Sequence, residues 1–441
     1  MCMLEKKYGL WTTVSMVIGI VIGSGVFFKA DNILMASGGN VKTALLAWLV
    51  GAISMIFGAL VFAECANKFE RSNGIVDYAE GMLSEKFAYL IGWFNGIIYY
   101  PAIAAVLAWA AGNYTAILFN KDGNFVWIMA AIYMIGIYIL NYISPILSGK
   151  FQIASTAIKL VPLMIIAIFG IFQGLNNGIL IENFSKVSII SDSGSGFAAA
   201  VLGAAFAYEG WIIATTINGE IKDAKNTLPK ALVFGSLVIV IIYILYFLGI
   251  VGMIPTETIL KQGDNTVNVA ARTVFGNFGA SILTIFIIVS CLGTLNGLIL
   301  GGSRSFYSLA IRGQGIKPEA FSKLNSKTNI PTNSTIANFI LICIYLVVWY
   351  MNFKGLFPNK LFIDISELPI ALIYGIYIII YIAYMIKMKD LSFIKRFVIP
   401  SLALMGALIV VYGGLSKPSV IIDLGISVFV FLSGLLFYNK K

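Results

Sequence analysis

Three groups of residues in this chain lie inside apolar stretches and carry the chemistry. The first is Gly23-Ser24-Gly25, in the middle of Gly9–Ala36 (GLWTTVSMVIGIVIGSGVFFKADNILMA). A membrane helix interrupted at mid-depth frees backbone groups that have no water to turn to, and each one left unpaired costs several kcal/mol. Such a break persists only where a cavity or a ligand satisfies those groups. Two glycines around a serine let the backbone approach a ligand and leave N–H donors at a new helix start, which suits a carboxylate. The second group is Ala207-Tyr208-Glu209-Gly210-Trp211, within GFAAAVLGAAFAYEGWIIATTINGE (Gly196–Glu220), with Glu209 the interruption's only carboxylate. Glu209 has two readings. It points into a cavity and favours a cationic substrate, or it points to water or a neighbouring helix while its backbone serves the site. The third group is Lys159, in QIASTAIKLVPLMIIAIFGIFQ, with Ser290 and Thr294 of VSCLGTLNG as candidate hydroxyl neighbours. A lysine at the centre of a span costs roughly 2.5–3.5 kcal/mol on insertion scales. Read about 10 Å of helix rise from the end of its span, Lys159 could snorkel to the interface. The alternative is an ammonium held among carbonyls and hydroxyls, acting as a bound cation or, being titratable, carrying a coupling proton.

The elements that must position these groups follow from composition. The 441 residues are 59% hydrophobic and 11% charged, with a mean hydropathy of +0.92, against about 25% charged in soluble domains. Apolar runs long enough to cross a bilayer recur throughout, which predicts an all-α polytopic membrane protein. Twelve spans are expected, at 9–36, 41–66, 86–119, 124–147, 152–174, 196–219, 229–254, 277–302, 333–352, 361–386, 394–415 and 419–438. Span one would measure about 42 Å if continuous, against a hydrocarbon core of about 30 Å. Tilting absorbs excess length, but the Gly-Ser-Gly triplet favours a break. Spans one and six each carry a glycine-containing interruption. Ordinary small-residue packing explains either alone; the pair, at corresponding positions of two halves, points to a transporter. The expected organisation is one membrane transport domain over 1–441. It comprises an inverted repeat (1–174 against 196–386, discontinuous helices 1 and 6) and two further helices over 394–441.

The net charge of +10 resides in short loops, so it reads as topology rather than nucleic-acid binding. Twenty lysines and arginines fall on the side of the N-terminus and nine on the other, Lys29 among the nine, with Lys159 inside a span. This excess puts both termini in the cytoplasm of a multi-pass cell-membrane protein. There is no histidine, and the four cysteines form no CxxC. Imidazole metal sites, HExxH and Ser-His-Asp relays are thereby removed. No enzyme, cofactor or metal is expected, nor a structural disulfide or a cleavable signal peptide. Glu64 reads as interfacial. Ser303–Thr332 reads as a basic amphipathic helix on the membrane surface, followed by a re-entry turn at Pro331.

The segments VIGIVIGSGVFF, FAAAVLGAAFAYEGWIIATTINGEIKDAKNTLPKAL and SRSFYSLAIRGQGIKPEAFSKLN resemble the amino acid–polyamine–organocation superfamily. The likeness is strongest to its L-type amino acid transporter family, near the bacterial alanine-serine-cysteine exchangers, and covers nearly the whole chain. It implies a LeuT-like five-plus-five inverted repeat of twelve helices working by alternating access. The substrate carboxylate would meet Gly23, Ser24 and Gly25. The carbonyls of Val21, Phe206, Ala207 and Glu209 would receive the α-ammonium. Phe206 and Trp211 would shape the site, Phe206 as a gate. Tyr99 and Tyr100 would align with side-chain-pocket positions, and Lys159 would stand where sodium-dependent relatives hold a sodium ion. Animal light-chain members carry a cysteine between spans three and four that bonds an ancillary subunit. The corresponding loop here, Leu118–Phe125, has none, so no disulfide-linked subunit is expected. Residues and resemblance together point to a sodium-independent exchanger of small neutral L-amino acids such as alanine, serine, cysteine or threonine. The rivals are proton-coupled symport, and exchange of cationic amino acids through Glu209.

Overall fold

A computed structural model describes residues 6, 8–23, 25–69, 74–186, 196–358, 364–366, 368–415 and 418–439. Among them nine helices are long and apolar enough to cross a membrane, and three shorter apolar helices accompany them. Their only β pairing is an isolated bridge between Tyr8 and Ile221. The chain is therefore an all-α, multi-pass membrane protein.

The first expected span is two helices, α1 (Leu10–Val21) and α2 (Gly25–Ala36). After α3 (Val41–Lys68) and the short α4 (Ile75–Met82), α5 (Glu85–Phe94) and α6 (Tyr100–Phe119) form one long element. A π-helical turn over Asn95–Tyr99 joins them. Pro101 explains that turn: it has no N–H to give to the fourth carbonyl back, and its ring would clash there. α7 (Asn124–Ile143), α8 (Pro145–Asn176) and α9 (Ile179–Ser185) follow. Next come α10 (Gly196–Tyr208), broken before a 3₁₀ segment over Trp211–Glu220, then α11 (Ala224–Met253) and α12 (Thr256–Gln262). α13 (Thr266–Ala310) follows, kinked at Gly276, whose φ is 67°. α14 (Pro318–Phe321), α15 (Thr332–Phe353), α16 (Leu368–Lys387), α17 (Ile399–Leu415) and α18 (Pro418–Ser433) close the chain.

Glycines set the closest approach between helices. A Cβ on Gly170 of α8 would lie 2.2 Å from the Gly249 carbonyl oxygen of α11, and one on Gly174 would lie 2.5 Å from Gly252 Cα. Backbones meet there directly, the small-residue packing expected where lipid gives no hydrophobic drive between helices. α7 and α15 do the opposite. Each has 28% of its apolar window buried and shows an exposed stripe: Ile128, Ile132, Ile135 and Ile139 on one, Ile336, Ile340 and Ile344 on the other. Those stripes recur at the spacing of one helix face.

Two expectations need correction. Ser303–Ala310 is not a surface helix; it continues α13 into the protein, and Ser303, Ser305 and Ser308 are buried. Their hydroxyls donate to the carbonyls of Leu300, Gly302 and Ser305 at 2.7–2.9 Å, which lets a polar-looking stretch be buried without unpaired groups. α8 begins at Pro145 rather than at 152. Lys159 therefore lies about 21 Å along it rather than 10 Å.

Candidate functional site

α1 stops at Val21 and its helical hydrogen bonding closes with Ile22 N–H to Ile18 O at 2.8 Å. Gly23 N–H donates to Val21 O at 2.8 Å. Ser24 lies outside the described residues. In the sixth span, α10 stops at Tyr208, Glu209 N–H donates to Phe206 O at 3.1 Å, and Gly210 adopts φ 109°. That backbone region favours glycine. The two interruptions touch. A Cβ on Gly25 would stand 3.1 Å from Ala207 Cα, and one on Gly23 would stand 2.7 Å from Thr294 Oγ1. Glycine at 23 and 25 thus lets the first break reach α10 on one side and α13 on the other.

Lys159 is fully buried. Its ammonium donates to Gly19 O at 2.5 Å and to Thr294 Oγ1 at 3.1 Å. The Thr294 hydroxyl stands 3.1 Å from both Gly19 O and Ile22 O. These are carbonyls at the C-terminal end of the half-helix α1, where the helix dipole favours a cation. Snorkelling is ruled out by this geometry. Ser290 is not a partner of the lysine: its hydroxyl faces Ile22 O at 3.5 Å. Around Lys159, α8 presents a buried polar ridge of Ser148, Gln152, Ser155 and Thr156. It is tied to α7 and α13 through Asn296, which donates to Gln152 Oε1 at 3.0 Å and accepts from Asn141 at 2.8 Å.

Glu209 points inward and is 7% exposed. Its Oε1 accepts from the hydroxyls of Tyr99 at 2.7 Å and Tyr377 at 3.1 Å, while Oε2 has no hydrogen-bond partner among the described residues. Sequence reasoning missed two participants. Tyr377 of α16 is one. The other is Tyr243 of α11, whose hydroxyl lies 2.9 Å from Val21 O and 3.2 Å from Ala207 O, so it bridges the two broken spans. Their signal was a phenol in an otherwise apolar helix, which requires a partner when buried.

Beside these groups lies a cavity of about 30 Å³, which Tyr99, Glu209 and Thr294 reach. Val21, Gly23, Gly25, Phe206, Ala207, Glu209 and Thr294 line it. Ile20, Ile103, Leu107, Ile213, Leu298 and Ile370 supply an apolar remainder. The tyrosine of the third span that faces the cavity is Tyr99, not Tyr100. Tyr100 turns its ring edge to Gly301, where a Cβ would lie 2.9 Å from it. Trp211 is set back from the cavity, packed on Phe62 with ring centroids 5.4 Å apart. Lys29, counted from sequence with the loops, is buried with its ammonium 4.7 Å from the centroid of the Phe206 ring. Among the described residues no group of histidine, cysteine or acidic side chains could hold a metal ion.

A multi-pass helical protein whose two interrupted helices meet at a buried, mixed polar and apolar cavity belongs to the class of membrane transport proteins. The chain belongs to the amino acid permease family, which matches over residues 8–439. It is 32% identical to the serine/threonine exchanger SteT of Bacillus subtilis (strain 168), with 99% of this chain and 97% of that protein aligned. It is 28% identical to the cystine/glutamate transporter of Homo sapiens, over 78% of this chain and 68% of that one. To the b(0,+)-type amino acid transporter 1 of Mus musculus it is 27% identical, over 79% and 71% respectively. Amino acid transport is thus its general function.

Proposed function

We propose that the chain is a sodium-independent exchanger of small neutral L-amino acids, akin to the bacterial alanine-serine-cysteine exchangers, working by alternating access. The observation that carries this reading is the position of Lys159. Its ammonium occupies the carbonyl-and-hydroxyl nest at the end of α1, so a fixed cation already neutralises the groups that a coupling sodium ion would otherwise satisfy. The α-carboxylate is assigned to the start of α2 around Gly23, Ser24 and Gly25. The α-ammonium is assigned to the open Oε2 of Glu209 and to the carbonyls of Phe206, Ala207 and Val21. The carbonyls of Phe206 and Ala207 each keep a second lone pair beyond their present bond. The side chain then falls among Ile103, Leu107, Ile213 and Ile370, which suits a short apolar or singly hydroxylated group. The serine/threonine exchanger likeness supports the same end of the size range. In this reading the twelve spans form two inverted five-helix halves (1–174 and 196–386) with two added helices, and both termini face the cytoplasm. No disulfide-linked subunit is required.

A second reading, proton-coupled symport, is favoured by one observation: a buried carboxylate, Glu209, lies inside the cavity. Uptake of labelled L-serine into proteoliposomes in sodium-free buffer separates the two. Uptake confined to vesicles preloaded with amino acid is the exchanger result. Equal uptake into empty vesicles, rising with an inward proton gradient, overturns exchange in favour of symport.

A further inference from the structure

We infer that the groove between α4 and α16 holds an anionic phospholipid, with an acyl chain along its isoleucines and the phosphate at Lys387. The groove encloses about 230 Å³. Met82 and Leu83 of α4 line it on one side, and Ile379, Ile382, Ile386 and Lys387 of α16 on the other. The α16 positions recur at the spacing of one helix face. They run over about 12 Å of helix rise, close to half of a hydrocarbon core of about 30 Å. That is the depth of one leaflet, the span along which an acyl chain lies. The three isoleucines are exposed, whereas Tyr374, Tyr377, Tyr381 and Tyr384 on the opposite face of α16 are buried. The groove therefore opens toward lipid, away from the transport cavity.

The polar end of the groove is positive. Lys387 ends α16, Lys389 follows two residues on, and Lys86 stands three residues past Leu83; all three are exposed. The acids of the neighbouring elements have partners of their own. Asp390 pairs with Lys68 at 2.8 Å, Glu64 with Lys395 at 2.6 Å, and Glu85 accepts from Gln314 at 2.7 Å. Arg312 holds both Asp77 and Glu80 of α4. A lysine closing an apolar span lays its stem along the chain and lifts its ammonium to the headgroup level. A basic pocket between membrane helices at that level suits a phosphate head. The excess of lysines repels the ammonium of a zwitterionic headgroup, so the site selects an anionic one. The larger cavity beside Trp93 and Phe306, of about 310 Å³, has no charged side chain in its lining, so nothing there selects a headgroup.

The test is native mass spectrometry of the detergent-purified chain, titrated with phosphatidylglycerol or with phosphatidylcholine of identical acyl chains. The wild type should hold its first phosphatidylglycerol roughly fivefold more tightly than phosphatidylcholine. Lys387→Gln should abolish that preference, weakening phosphatidylglycerol by roughly fivefold. Lys327→Gln makes the same charge change between α14 and α15 and should leave the preference intact. Ile382→Trp, which fills the groove, should weaken both lipids. Equal binding of the two lipids by the wild type overturns the inference, as does an unchanged preference in Lys387→Gln or full binding in Ile382→Trp. Release of phosphatidylglycerol by inorganic phosphate alone would make the ligand a free anion, and overturns it too. If Ile382→Trp does not fold, the wild type and Lys387→Gln, altered only at an exposed side chain, decide between these outcomes.

Discussion

Lys159 and Gly19 are joined across two helices by a hydrogen bond of 2.5 Å from ammonium to carbonyl oxygen, which fastens the end of the half-helix α1 to the middle of α8. Lys159→Met should uncouple them and leave a buried carbonyl at the break short of its charged donor. Hydrogen bonds to charged groups contribute about 1.5–3 kcal/mol, so serine counterflow should fall roughly 10–150-fold. Lys159→Arg should not restore it, because a planar fork does not fit a single close carbonyl contact. Thr294→Val, which removes a neutral hydroxyl near Gly19 O and Ile22 O, should cost about 1 kcal/mol, or roughly fivefold. Thr294→Ser should be close to wild type.

The apolar lining should govern size. Ile103→Ala or Ile370→Ala removes methylene groups from the cavity wall, and one methylene in a pocket is worth about 1–3 kcal/mol of discrimination. Competition by L-leucine against labelled L-serine should strengthen by roughly 10–200-fold. No gain for leucine would place the side-chain pocket elsewhere.

Glu209→Gln keeps an acceptor for Tyr99 and Tyr377 and deletes the charge. For an exchanger, the apparent affinity for serine should weaken by about tenfold through loss of a charged partner to the α-ammonium, with the pH profile unchanged. For a symporter, uptake should stop responding to an inward proton gradient. The two outcomes are read in one pair of vesicle preparations.

Outside the spans, Lys186 after α9 bonds Glu257 on α12 at 2.9 Å. The ammonium holds the Glu257 carboxyl below its usual range, and that hydrogen bond raises the Lys186 ammonium above its own. A depressed carboxyl stabilises the fold above its unfolded value and loses that contribution as pH falls through the folded one. A raised lysine contributes below its unfolded value, and that contribution is lost as pH rises through the folded one. The pair is consequently constant across neutral pH. Glu257→Gln should leave the pH dependence of transport between about 5.5 and 8 unaltered.

Much of the frame was legible because hydropathy is a one-dimensional signal: both breaks fell at the glycines that the sequence marks, and Lys159 was conspicuous as a charge in an apolar run. Depth was less legible. Pro145 and Ser144 start α8 seven residues before the apolar run is strong, which changed the lysine from near the interface to the mid-helix. The choice between Tyr99 and Tyr100 rests on about 100° of helix rotation, shifted further by the π turn before Pro101. Tyr243 and Tyr377 were hidden because a partner in space leaves no mark at a fixed spacing. Lys29 was misplaced with the loops because a basic residue near a span end ordinarily does signal topology; only packing on Phe206 shows otherwise.

The glycine contacts between α8 and α11 have a further consequence. With Gly170 and Gly174 lying directly on Gly249 and Gly252, those two backbones have no side chains between them to repack, and sliding or rocking at that seam would open a void or force a collision. Lys159 on one helix and Tyr243 on the other therefore ride on a single strut. Spin labels placed on the exposed flanks of the two helices should give one narrow, invariant distance through the whole cycle, an internal ruler against which the movement of any other helix can be read.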